Sequence, residues 1–198
     1  VIVKITFWGA TDEVTGSMTF FENENHLGMV DAGLSQGSND AKERNFSTLP
    51  FPASKIEAVV VTHAHLDHSG YLPRLVRKGF HGAIHCTPVT AEIIRVILED
   101  SAKLSEDEEN PLYDINDVKK TLKLIRTHAW DSEFSFLGTR ATLIPAGHIL
   151  GASSLVIEGE KRIVFSGDLG REDDYLIPPP LPCPKADVVV MESTYGGK

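Results

Sequence analysis

Apolar residues in this chain come mostly as short runs separated by turn-forming residues. Runs of roughly four to eight, rich in β-branched residues and bounded by Gly, Asn or Pro, predict strands. Val1 to Trp8 alternates loosely and predicts a first strand, followed by a loop from Gly9 to Gly16. Ser17 to Phe21 and His26 to Asp31 predict two strands joined by the turn Glu22-Asn-Glu-Asn25. Ile56 to Val61 is apolar but for one charge, as in a buried strand, and Gly82 to Cys86 is another short strand. Later strands are predicted at Phe134 to Phe136, Thr139 to Pro145, Ala152 to Glu158 and Arg162 to Ser166, with a hairpin turn at Gly159-Glu-Lys161. Asp187 to Glu192 predicts a final buried strand. Helical spacing is confined to the middle of the chain. Val89, Ile93, Val96, Ile97 and Leu104 share one face of a helix opened by Thr87-Pro88. Asn116 is expected to cap a second helix, Asp117 to Ile125, and Tyr71 to Lys78 to form a short one. Ser35 to Ser54 is polar and reads as irregular, Ser105 to Asn110 as a solvated acidic loop. Pro178 to Pro184 holds five prolines in seven residues, a stiff extended connector.

A chain of 198 residues can bury a sizeable core as one domain. The formal charge of −9 argues against gripping nucleic acid by bulk electrostatics, although bound divalent cations would reverse the field locally. Cys86 and Cys183 form no Cys-x-x-Cys motif and read as free thiols in a reducing cytoplasm. No apolar run approaches a membrane span and no signal peptide is seen, so no membrane partner is expected. The chain starts at Val1 and stops just after a strand and Gly196-Gly197, which reads as cut short.

Chemistry concentrates in Val61-Thr-His-Ala-His-Leu-Asp-His-Ser-Gly70. A predicted strand precedes it, and Gly70 turns the chain after it. His63, His65, Asp67 and His68 thus sit at the carboxyl end of a strand, where α/β proteins place their sites. Alternation along an extended segment puts His63, His65 and Asp67 on one face and His68 on the other. Imidazole and carboxylate suit zinc, and also iron or manganese. Four such ligands in so short a loop can feed two adjacent ions but not easily surround one. His148 and Asp168 each follow a predicted strand and stand between glycines. Either alone would more often be structural. Asp31, where a strand meets Gly33, satisfies turn amides on the plain reading. His26, His81, His85 and His128 lack such context and read as structural or surface residues; Trp8 and Trp130 read as core or interface.

His63-x-His65-x-Asp67-His68 resembles the signature of the metallo-β-lactamase superfamily. The resemblance implies an αββα four-layer sandwich, incomplete here at its C-terminus. It implies two divalent ions, zinc first, with manganese or iron as alternatives. His63, His65 and His148 would hold one ion, Asp67 and His68 the second, and Asp168 would bridge them. Asp31 would fix the metal loop by hydrogen bonds.

Glu13-Val-Thr-Gly-Ser17, Gly147-His-Ile-Leu-Gly-Ala-Ser153, Asn110 to Val118 and Glu192-Ser-Thr-Tyr-Gly196 resemble the β-CASP RNA nuclease branch, above all the nucleases that process mRNA 3′ ends and their prokaryotic relatives. RNA hydrolysis by a two-metal-activated hydroxide is implied, with Asp67, Asp168 and Glu192 as catalytic residues and Glu192 orienting a later histidine. Residues 1–198 would be the N-terminal part of the metallo-β-lactamase-like domain. The β-CASP domain, the closing strands and the last ligand of the second ion are expected after residue 198. This stretch alone is therefore expected to be inactive, and its exposed apolar surface to favour self-association. The alternatives are a small-molecule hydrolase of the glyoxalase II or lactonase type, or a non-catalytic scaffold in an RNA-processing assembly.

Overall fold

The computed structural model describes residues 3–11 and 13–197. Val1, Ile2, Asp12 and Lys198 lie outside the described residues, and with them the start of the first predicted strand. Strands β1 (Val3–Phe7), β2 (Thr19–Asn23), β3 (His26–Val30), β4 (Ala58–Val60), β5 (Ala83–Cys86) and β6 (Ile125–Thr127) form one sheet in sequence order. The first three are antiparallel and the last four run parallel. Strands β7 (Glu133–Phe136), β8 (Thr139–Pro145), β9 (Ser153–Glu158) and β10 (Arg162–Phe165) form an antiparallel meander, to which β11 (Val188–Val190) adds in parallel. Helices α1 (Ala41–Phe46), α2 (Leu66–Ser69), α3 (Leu72–Arg77), α4 (Pro88–Leu104) and α5 (Ile115–Leu124) all precede β6.

The period-2 alternation of strands sorts their side chains into two cores. Phe20, Met29, Val59 and Ile84 pack against Leu72, Leu75, Ile94, Leu98 and Val118 of α3 to α5. Their neighbours Phe21, Val30, Ala58 and Val60 face the second sheet, meeting Phe136, Leu143, Leu155, Ile157 and Phe165. Each fully buried side chain of this size contributes roughly 1.5–3 kcal/mol. The layers are helix, sheet, sheet, in keeping with the expected sandwich. Among the described residues no helix covers the outer face of the second sheet.

Four local expectations change. The cap of α5 is Asp114, not Asn116: its carboxylate accepts from the amides of Asn116 and Asp117, and Asp117 returns a bond to the Asp114 amide. Ile125 leaves the helix for β6. The stretch read as irregular contains α1, which buries no side chain and so shows no apolar period; Asn45 holds it by bonds to both backbone groups of Ser35. The final strand is not buried. It is the sheet's edge, with Val188 and Val189 40% and 48% exposed.

Strand direction positions the chemistry. β3 and β4 are parallel in one sheet; β8, β10 and β11 share a direction in the other. The residues singled out in sequence all follow the carboxyl ends of these strands. At the opposite edge the strands are closed by tight hairpins, Asn23 to His26, Phe136 to Thr139 and Glu158 to Arg162. No described helix is long and apolar enough to cross a membrane.

Candidate metal centre

The loop after β4 is extended only as far as His65. There the chain turns into α2, with the amides of His68 and Ser69 donating to the His65 carbonyl at 2.9 Å. Asp67 therefore reaches the site from a helical turn, not by strand alternation, which corrects the simple face argument. His68 packs its ring against that of His63 and faces Asp31, Asp67 and Asp168. Asp31, at φ 61°, turns its carboxylate inward; a short polar side chain tolerates this left-handed backbone when it bonds locally.

Four ligand atoms converge, all within 4.8 Å of one another: one each from His63, His65, His148 and Asp168. His65 Nδ1 lies 3.1 Å from both His63 Nε2 and His148 Nε2. Asp168 Oδ2 is 3.7 Å from His63 Nε2 and 3.5 Å from His148 Nε2. A tetrahedral ion with bonds of about 2.0–2.1 Å separates its ligands by roughly 3.3 Å. The donors thus fit a divalent ion in both kind and spacing. Beside them, His68 Nε2 is 3.2 Å from Asp168 Oδ1 and 3.9 Å from Asp67 Oδ2. Asp168 faces both groups, one oxygen to each.

A hydroxyl that the sequence reading passed over ties the halves together. Thr62 Oγ1 donates to the Asp31 carboxylate at 2.9 Å, and the Thr62 amide also donates to it. A carboxylate only accepts, so the same hydroxyl must accept from His63 Nδ1, 3.1 Å away. That leaves the His63 Nε2 lone pair facing the cluster. Asp31 also accepts from His68 Nδ1 at 2.7 Å. Thr62 comes just after β4 and is β-branched, so in sequence it looks like strand filler.

The electrostatics differ sharply within this small volume. Burial, then the charge of His68, pushes the His63 imidazole down to about 2, outweighing Asp168. His65 is also lowered, chiefly by burial. Burial opposes charge on His68 as well, yet Asp31 and Asp168 raise it to about 10. Asp168 is held down to about 2; burial works the other way, and the bond and charge of His68 outweigh it.

A cleft of about 460 Å³ opens beside the cluster, lined by Asp31, Thr62, His68, Asp168, Phe165 and Glu192 among others. The Glu192 carboxylate accepts from the Leu169 amide at 2.8 Å, bracing the turn that presents Asp168. Trp8 is 42% exposed, not in the core, whereas Trp130 packs between the sheets and donates to Ser153. His85 and His128 stack with Phe134, His26 pairs with Glu57, and His81 bonds a turn carbonyl.

Two mixed sheets with a His- and Asp-lined edge define a metal-site class of α/β sandwich. The chain belongs to the metallo-β-lactamase superfamily, whose profile matches residues 11–191. Its curated relatives include proteins named as a ribonuclease, a transcription termination factor and a cleavage and polyadenylation specificity factor. It is 38% identical over 99% of its length to Ribonuclease TTHA0252 of Thermus thermophilus, covering 44% of that protein. It is 32% identical to Transcription termination factor FttA of Methanothermobacter thermautotrophicus, covering 98% of this chain and 32% of that one. It is 33% identical to Cleavage and polyadenylation specificity factor 73 of Drosophila melanogaster, covering 98% and 29%. The chain thus spans less than half the length of these relatives. A solved metallo-β-lactamase of Cronobacter sakazakii superposes with a TM-score of 0.58 at 19% identity, over 87% of this chain and 59% of that one, a likeness of fold alone.

Proposed function

We propose that this chain carries the metal-binding half of an active site that hydrolyses RNA phosphodiester bonds. The spacing of His63, His65, His148 and Asp168 carries this reading, since the ligand atoms stand at the separations a tetrahedral ion imposes. His63, His65, His148 and Asp168 would hold one divalent ion; Asp67, His68 and Asp168 would hold a second, with zinc the first choice of metal. Such ions supply Lewis-acid activation of water and neutralise charge on a phosphoryl group. The chain's own residues do the rest. Thr62 and Asp31 aim the imidazoles. Asp67 and Asp168 set the cluster's negative charge. Glu192 keeps the Asp168 turn in place and, in our reading, orients a histidine supplied by a later segment. RNA as substrate is supported by relatives named as ribonuclease and endoribonuclease. A chain of net charge −9 repels a polyanion overall, so attraction for phosphate would be local to the ions.

We place the protein in the cytoplasm, in keeping with its two free cysteines. We also propose self-association through the open edge, where Val188, Val189 and Met191 are exposed. Sedimentation at rising concentration checks this, and a strictly monomeric chain would contradict it.

The test of function pairs metal analysis with hydrolysis assays on RNA and on a thioester, using this chain and the longest natural form that contains it. We expect one tightly held ion in this chain and metal-dependent RNA cleavage by the longer form. Thioester hydrolysis without RNA cleavage would overturn the substrate reading.

A further inference from the structure

The loop from Ala146 to Ala152 carries His148, and it is gripped from two sides. On one side the proline connector lies against it. The Leu181 amide donates to the Pro145 carbonyl at 3.0 Å, and a Cβ on Gly147 would stand 2.4 Å from Pro180. On the other side, three hydroxyls converge on the carbonyl of Gly151: Thr87 at 2.8 Å, Thr90 at 2.9 Å and Ser153 at 3.1 Å. Thr87, Thr90 and Ser153 are all buried.

The proton count shows how this works. Trp130 Nε1 donates to Ser153 Oγ at 2.9 Å, so the Ser153 proton is free for Gly151. The Thr90 amide donates to Thr87 Oγ1, capping α4, and Thr87 lies 2.9 Å from the Thr90 hydroxyl. A carbonyl oxygen has two lone pairs. Ser153 and Thr90 fill both, and Thr87 donates to Thr90 or competes for Gly151. Gly151 itself has φ 81°, and a Cβ there would meet the Thr90 amide at 2.7 Å and both threonine hydroxyls at 2.8 Å. The grip therefore requires glycine at this position and small hydroxyls opposite it.

We propose that Thr87 and Thr90 are positioning residues for His148. They tie its loop to the first turn of α4, the longest helix, which is anchored in the core by Ile94 and Leu98. The same hydroxyl that caps the helix thus helps tie down the loop that bears His148, a donor 83 residues from His65 in sequence. His148 is itself partly exposed, and its ring meets those of His63 and His65 edge-on. Outer partners of this kind commonly change metal affinity by about 10–100-fold.

This inference rests on the proposed metal reading, and the experiment separates the two. Zinc affinity and the cobalt(II) absorption spectrum are measured for the wild-type chain, His148→Ala, the double variant Thr87→Val/Thr90→Val and the double variant Thr87→Ser/Thr90→Ser. We expect the valine pair to weaken zinc binding about 10–100-fold and to alter the cobalt bands, which report ligand geometry, with the serine pair restoring both. Wild-type affinity and an unchanged spectrum in a folded valine pair would overturn the positioning role. Failure of the wild type to bind, or of His148→Ala to weaken binding, would overturn the metal reading and this inference with it. Should the valine pair not fold for want of its helix cap, Thr90→Val/Ser153→Ala takes its place, since it removes two of the three donors to Gly151 and keeps the Thr87 cap. A few-fold weaker affinity there supports the proposal and no change overturns it.

Discussion

The two halves of the His–Asp cluster are built differently although Asp168 belongs to both. One half draws His63, His65 and His148 from loops of both sheets, and burial keeps His63 and His65 below the usual imidazole range. Its nitrogens crowd together, His65 Nδ1 lying 3.1 Å from both His63 Nε2 and His148 Nε2. The other half has Asp67, His68 and the second oxygen of Asp168, and there His68 is raised to about 10 because Asp31 and Asp168 flank it. In that half a proton stands where positive charge is needed. An ion in that second half must first displace the proton that Asp31 and Asp168 favour on His68.

Five substitutions press on this contrast. The largest effect is expected from Asp168→Ala, which removes a ligand from both halves; metal binding and RNA cleavage in the longer form should fall by more than the roughly 100-fold upper range of outer partners. Cleavage near the wild-type rate would contradict a shared carboxylate. Next, His148→Ala should abolish the tight ion in this chain, while His68→Ala should leave it within a few-fold. Equal losses by calorimetry would dissolve the distinction. Asp31→Ala should lower the activity of the longer form by about 10–100-fold and affect the tight ion less; the reverse order would show that Thr62, not His68, is the main client of Asp31. The smallest effect is expected from Asp114→Ala. It breaks the capping box of α5, far from the cluster, at a cost of about 1 kcal/mol of stability by denaturant titration and with no change in zinc affinity. A change in affinity would mean that the helix layer and the cluster are coupled.

Most strands were legible because they bury alternate or continuous apolar residues, and the metal loop because its donors are adjacent in sequence. The strand ends that bear His148 and Asp168 were legible from their glycines. What was missed has no such trace. Helix α1 buries nothing, so its period is invisible. Asp67 was grouped with His63 and His65 but stands outside their four-atom group, beside His68, since sequence does not announce that the loop becomes helical at Leu66. The edge position of β11 is a property of neighbours, and Val188 to Val190 look the same with or without one. Thr87 was legible as the start of α4 from Thr87-Pro88, but the reach of Thr87 and Thr90 to Gly151, and of Thr62 to Asp31, crosses between elements and no local pattern marks it.

The hairpins that close the far edge of the sheets have a practical use. Asn23 to His26, Phe136 to Thr139 and Glu158 to Arg162 all lie a full strand length away from the cluster. A fluorophore, an affinity handle or a surface tether placed there would report on the protein without crowding its chemistry. Handles on the opposite rim, near Asp31, His148 or Glu192, would stand in the path of any polymer entering the cleft.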